Sequence, residues 1–121
     1  MQELTIDIKK ILNDYSEDIQ EAIAAEAQLV AKQAVAELKH SSPKRTGNYA
    51  KGWRVKTTKG VGFIECEVHN ANAPGLTHLL EKPHLLRNGK RSNPIVHIAP
   101  VEEKAVRDFE NAVEKIIQNG G

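Results

Sequence analysis

The spacing of apolar residues changes twice along this chain, and these changes constrain its fold more than any other feature. From Leu4 to Leu38 apolar side chains recur every three or four residues, which is the period of an amphipathic helix. From Trp53 to Val68 they alternate with polar residues, which is the period of a half-buried strand. Helical spacing returns after Pro100. The sequence therefore predicts a helix, then strands, then a second helix.

The first helical pattern is long, and two interpretations fit it. It forms either one continuous helix or two helices joined near residues 13–16. Asp14 is followed three residues later by Glu17, which resembles a capping box and favours a break. The Ala-rich part of the pattern, residues 22–36, predicts close packing against a sheet or another helix.

The alternating region predicts an antiparallel hairpin with its turn at Lys59-Gly60. Ile64, Cys66 and Val68 form the predicted inward face of the second strand. Farther on, residues 76–81 predict one or two helical turns, and residues 95–98 predict a further short strand. Pro100 suits the first turn of the final helix, because its missing N–H costs nothing there.

These elements predict an α+β fold and a single domain over residues 1–121. The domain has a long N-terminal helix, an antiparallel hairpin with a further short strand in a small sheet, and a C-terminal helix packed on the sheet. Two basic segments interrupt it, a loop at residues 41–52 and a mobile loop at residues 82–94.

Charge is segregated along the chain, although the net charge is only +1. Residues 1–38 carry eight acids against three bases, whereas residues 39–64 and 82–101 contain no acid. The final helix is acidic again. We therefore expect one positive and one negative surface, which favours either nucleic-acid binding or head-to-tail self-association.

The basic loops are the predicted contact sites, because Pro43 and Gly47 keep them out of regular structure. Trp53 borders the first loop and is interpreted as a core anchor of the hairpin, in preference to a stacking platform. The predicted partner or DNA contacts are Lys44, Arg45, Thr46, Tyr49, Lys51, Arg87, Lys90 and Arg91.

No catalytic, cofactor or metal site is predicted. The histidines lack the spacing of a structural zinc site, and Cys66 has no cysteine partner. Acidic neighbours would raise the pKa of Cys66, so this residue is interpreted as a small core side chain. A single cysteine fits a reducing compartment. The first residues lack a signal-peptide pattern, and no apolar run is long enough to span a bilayer.

Several of these residues also occur in order in a known family. A long N-terminal helix pattern leads to Pro43-Lys44-Arg45-Thr46-Gly47, then to a hairpin that ends in Val68-His69-Asn70, and then to Leu80-Glu81. A final helix begins after Ala99-Pro100. This order resembles the gene-product-10-like tail-component proteins of tailed bacteriophages and prophages. Lys82 departs from the pattern, since glycine is usual there.

The resemblance implies a non-enzymatic virion protein without cofactors that acts in head–tail joining or tail completion. It also implies a homo-oligomeric ring, a hexamer, between neighbouring connector and tail proteins in the neck. The protein would occupy the host cytoplasm during assembly and the virion afterwards, with no membrane partner. DNA in the channel and acidic protein neighbours are both candidate partners for the basic loops.

One alternative function class fits the same residues. A small basic RNA- or DNA-binding protein would use the same loops to contact phosphates. A toxin-type ribonuclease is the enzymatic form of this alternative, with His84 and Arg87 as the residues to test.

Overall fold

The fold combines helices with a small antiparallel sheet in an α+β arrangement, as predicted. The computed structural model describes residues 6–42, 47–72 and 97–120. In chain order the elements are β1 (Ile6–Ile11), α1 (Glu17–Ser41), α2 (Asn48–Lys51), β2 (Trp53–Gly60), β3 (Phe63–Asn70) and α3 (Ile98–Gly120). The long helix, the antiparallel hairpin in a small sheet and the C-terminal helix are confirmed.

The first element is a strand, so the prediction of a helix from Leu4 was wrong over residues 6–11. β1 pairs antiparallel with β3, with Ile6 opposite Val68 and Ile11 opposite Phe63. The three-stranded sheet therefore has the order β1-β3-β2. The further strand of the sheet is thus β1 and not the segment at residues 95–98.

The pattern of β1 explains the error, because it satisfies both periods. Ile8 and Ile11 fit helical spacing, while buried Ile6 and Ile8 alternate with exposed Asp7 and Lys9. β-branched isoleucines favour strands, and the free side of β3 supplies hydrogen-bond partners that local sequence does not reveal.

Helix α1 begins directly after the predicted break. Ser16 is its N-cap, and the Ser16 hydroxyl accepts a hydrogen bond from the backbone N–H of Ile19 at 3.4 Å. Glu17 and Asp18 lie in the first turn, where carboxylates interact favourably with the helix dipole. The break is confirmed, but its cap is Ser16 and not Asp14.

The hairpin is confirmed, with its turn moved by two residues. Gly60 still pairs with Phe63, so Val61 and Gly62 form the turn. Gly62 has a φ of 78°, and a Cβ at this position would collide with the side chain of Asn13. Glycine therefore suits this turn, because another residue would be strained at this φ and would require the Asn13 side chain to move.

The core lies between the inner face of the sheet and α1, and α3 extends it. Helix α1 packs on β2 and β3, while α3 packs mainly on α1 and also touches β1. As predicted, β3 buries Ile64, Cys66 and Val68. The side chains of α1 that are buried in the core include four alanines, which let the layers approach closely: Ile23, Ala24, Ala27, Val30, Ala31, Ala34 and Leu38.

The final helix is confirmed and begins at Ile98, two residues before Pro100. Ile98 is therefore helical and not part of a strand, and residues 95 and 96 lie outside the described part of the chain. The predicted turns at residues 76–81 and the loop at residues 82–94 also lie outside it. In the described part, no helix is both long and apolar enough to cross a bilayer.

Candidate functional site

Part of the predicted basic loop at residues 41–52 is a short helix. Gly47 has a φ of 80° and precedes the single helical turn of α2. This left-handed conformation suits glycine, which lets the chain reverse before Asn48. Tyr49 and Ala50 of this turn are buried. The prediction of an open loop missed α2, because a helix of one turn carries no periodic pattern.

Three aromatic rings meet at α2: Tyr49 of this helix, Trp53 just after it, and His97 from a distant part of the chain. The ring centroids of Tyr49 and Trp53 are 5.5 Å apart, as are those of Tyr49 and His97. Both pairs pack edge to face, the arrangement that the charge distribution of aromatic rings favours. Trp53 is 1% exposed, so its interpretation as a core anchor is confirmed.

Two buried hydrogen bonds connect these rings to each other and to the end of α1. The Tyr49 hydroxyl shares a hydrogen bond of 2.6 Å with His97 Nε2, immediately before α3. The Trp53 indole N–H donates to the Ser42 hydroxyl at 2.8 Å, immediately after α1. Buried polar groups of this kind hold their neighbours in one arrangement, because breaking such a bond leaves a desolvated group without a partner.

Asn70 completes the cluster at the end of β3. Its side-chain N–H donates to the Tyr49 carbonyl at 2.7 Å, and its side-chain oxygen accepts from the Asn72 backbone N–H at 3.1 Å. Gly52 lies against it, and a Cβ on Gly52 would lie 2.5 Å from the Asn70 oxygen. The turn after α2 and the end of the hairpin therefore pack closely against each other at Gly52 and Asn70. We call Ser42, Tyr49, Trp53, Asn70 and His97 the polar–aromatic cluster.

The described residues that border residues 43–46 and 73–96 lie in or beside the polar–aromatic cluster. Ser42 and Gly47 border residues 43–46, and Asn72 and His97 border residues 73–96. The Asn72 side chain donates to the Asn48 carbonyl at 3.0 Å, so Asn72 lies next to the residue that follows Gly47. These four bordering residues therefore lie at the same end of the described domain.

The predicted contact residues have different outcomes. Lys51 is exposed, as a contact residue must be. Tyr49 is 4% exposed and its hydroxyl is hydrogen-bonded to His97, so its prediction as a surface contact was wrong. The other predicted contacts lie outside the described residues and stay predictions: Lys44, Arg45, Thr46, Arg87, Lys90 and Arg91.

A basic cleft adjoins the polar–aromatic cluster between α1 and β2. It has a volume of about 420 Å³, and the described residues that line it include four cations and no carboxylate. These cations are Lys32, Lys39, Lys51 and Arg54. The Arg54 guanidinium donates to the Lys51 carbonyl at 2.7 Å, which holds one of these charges in place. The expected positive surface is therefore present along this side of the domain.

Among the described residues, neither the cysteine thiol nor a group of metal ligands is arranged for catalysis. Burial raises the pKa of the Cys66 thiol, and the nearby Asp7 and Glu65 carboxylates raise it further, against a hydrogen bond from Thr57 that lowers it. The fully buried thiol is therefore held protonated, as its interpretation as a core residue implies. Among the described residues, no group of three or more potential ligands could hold a metal ion.

Sequence reasoning missed Ser42, Asn70 and His97 as parts of one cluster. Tyr49 and His97 are 48 residues apart, so their contact depends on the tertiary fold. A signal for Asn70 did exist, since it ends the Val-His-Asn segment of the resemblance and follows an alternating strand.

Fold and site define a small α+β domain whose buried polar–aromatic cluster joins the ends of its helices and strands. Residues 6–82, more than half of the chain, match the protein family described as "HK97-gp10_like: Bacteriophage HK97-gp10, putative tail-component". The chain belongs to this family of phage tail-component proteins, as its sequence resemblance indicated. Searches of curated proteins and of solved structures gave no match.

Proposed function

We propose that this protein is a structural component of a tailed phage or prophage virion, acting in head–tail joining or tail completion. The observation that carries the proposal is the family match over residues 6–82. In this role the protein works by binding neighbouring proteins and not by catalysis. It assembles in the host cytoplasm and then stays in the neck or tail of the particle.

The protein acts as a subunit of a homo-oligomeric ring, a hexamer, between connector and tail proteins. Segregated charge supports this part of the proposal, because acidic and basic surfaces on one subunit can meet on successive copies. DNA in the channel and acidic protein neighbours both remain suitable partners for the basic segments.

The polar–aromatic cluster supports a docking role for these segments. A segment that leaves a rigid base loses less conformational entropy on binding than one with unfixed ends. Lys44, Arg45, Thr46 and Lys51 would make contacts from the first segment. Arg87, Lys90 and Arg91 would make them from the second.

Charge reversal at both segments tests the proposal. We expect the Arg45→Glu and Arg91→Glu changes together to leave heads and tails separate in the phage that encodes the chain. The physical reason is that each reversal replaces attraction to an anionic partner with repulsion. Electron microscopy of lysates and infectious titre would measure the loss of joined particles.

A matched control is Lys115→Glu, which reverses an exposed charge far along α3. Lys115 lies about 25 Å along the helix from Ile98, away from the polar–aromatic cluster. We expect it to leave joining intact. Joined, infectious particles from the double variant would contradict the contact role of the two arginines.

A further inference from the structure

The sheet has two edge strands, β1 and β2, and their surroundings differ in character. Among the described residues, each of them pairs with β3 and with no other strand. Within this part of the chain, the outer side of each edge strand presents backbone N–H and C=O groups that can pair with another chain. Natural proteins usually blunt or cover such edges, so these two edges are candidates for contact with a partner.

The β1 edge lies beside an apolar groove formed with α3. The groove has a volume of about 620 Å³, and its apolar lining includes Ile8, Phe109 and Val113. Val106 and Ile117 also line it and are 39% and 40% exposed. Such apolar side chains, open to solvent along one helix face, are characteristic of a surface that another protein covers.

The groove and the surroundings of β2 differ in their balance of charge. Three carboxylates and two lysines line the groove: Asp7, Glu110, Glu114, Lys9 and Lys10. Among the described residues, the basic cleft at the start of β2 is lined by no carboxylate, whereas Glu17 and Glu21 line a second cleft at the end of β2. The small excess of carboxylates at the groove and the excess of cations along β2 favour contact between these two surfaces on successive copies.

We propose that the groove between β1 and α3 receives the β2 edge of a second copy of this protein. The proposal specifies the subunit contact of the ring and rests on that part of the proposed function. β1 and β2 both run antiparallel to β3 and are therefore parallel to each other. If the sheet of one copy continues into the next, β2 of the first copy pairs in parallel with β1 of the second. The two surfaces in contact are different, so the contact is head-to-tail. It builds a closed ring when the rotation between successive copies allows closure.

The strand register within one copy indicates which charges of two copies would meet if the sheet continued without a shift. Asp7, Glu67 and Lys56 lie in one row across the sheet, and all point to the solvent face with Lys56 and Asp7 at the two edges. Continuing the sheet without a shift places Lys56 of one copy next to Asp7 of the following copy. Neighbouring strands are about 4.8 Å apart, so these opposite charges would attract directly.

The adjacent rows are compatible with this register. Lys9 would meet Thr58, and Ile6 would meet Val55 on the inner face. One row brings like charges together, Lys10 and Lys59, and each of these lysines lines a cavity that carboxylates also line. Glu114 lines the groove with Lys10, while Glu17 and Glu21 line a cleft with Lys59.

A pair of charge variants on one face of β2 tests the contact. We expect Lys56→Glu to weaken association at least about tenfold, because each contact loses an attraction and gains a repulsion. Thr58→Glu is the matched control, since it also places a carboxylate beside a glutamate of β3 but faces Lys9 of the neighbour. It should associate at least as well as wild type. Sedimentation velocity over a range of concentrations measures both.

Mixing two defective variants gives a sharper result. Asp7→Lys should also fail to associate, because it would meet Lys56. An equal mixture of Asp7→Lys and Lys56→Glu should form alternating assemblies, since each edge then meets an opposite charge. Recovery on mixing also demonstrates that both variants are folded.

Three results would overturn this contact. They are a wild-type protein that stays monomeric at every concentration, a Lys56→Glu variant that associates like wild type, and a mixture that does not recover. If rings persist in Lys56→Glu, the edge contact is wrong while the proposed virion role stands. The virion role fails separately, when the protein is missing from particles.

Discussion

Replacing Trp53 with alanine should remove about 3–5 kcal/mol from the free energy of unfolding. The indole is 1% exposed, contacts the Tyr49 and His97 rings and donates to Ser42. Its removal leaves a cavity at the point where four segments of the chain meet. Because small domains are typically stable by about 5–15 kcal/mol, this single change would remove much of the total.

Urea denaturation followed by circular dichroism would measure this loss, since the variant has no tryptophan fluorescence. Val61→Ala is a suitable control, because Val61 is fully exposed in the hairpin turn. The control should change stability by no more than about 0.5 kcal/mol. A Trp53→Ala variant as stable as this control would contradict the anchoring role of Trp53.

Replacing Asn70 with alanine should cost about 1–3 kcal/mol. The change leaves the Tyr49 carbonyl without the Asn70 N–H and removes the acceptor of the Asn72 N–H. Asn70 is only 3% exposed, so water cannot easily replace these partners. The loss should loosen α2 and the flanks of both basic segments more than the rest of the sheet.

Asn72→Ala is the matched control, because Asn72 is exposed and its side chain makes one hydrogen bond within the described part of the chain, to the Asn48 carbonyl. We expect a smaller loss there, since water can solvate the freed carbonyl. Chemical denaturation gives the two stabilities, and hydrogen exchange at Tyr49 and Ala71 reports local loosening. Equal losses from both variants would show that Asn70 has no special part in the cluster.

The sequence predicted those elements whose pattern is local and long enough to be distinctive. The alternation around Cys66 identified the hairpin and its buried face, and helical spacing after Pro100 identified α3. β1 was missed because its isoleucines satisfy two periods and its pairing partner lies more than 50 residues away. The pairing of β1 with β3 in the folded protein favours the strand period over the helical period at these residues.

The candidate site was predictable only in part, for a related reason. Trp53 was correctly placed in the core, because an aromatic residue that begins an alternating strand usually faces inward. Tyr49 was assigned to the surface because its neighbours Lys44, Arg45 and Lys51 are basic. Its burial depends on His97 and Asn70, which composition near Tyr49 could not indicate.

The two surfaces of this domain have separate roles in the proposed assembly. The end that carries the polar–aromatic cluster would dock with the head, the tail or DNA. The edges at β1 and β2 would join copies to one another. Variants at Arg45 and Lys56 therefore separate docking from self-association.

Immunogold electron microscopy of purified particles tests the central claim most directly. An antibody against this protein should label the junction between head and tail in wild-type particles. Particles lacking the gene provide the background. Label confined to that junction is the predicted result, and particles that carry no label above background would contradict a structural role in the virion.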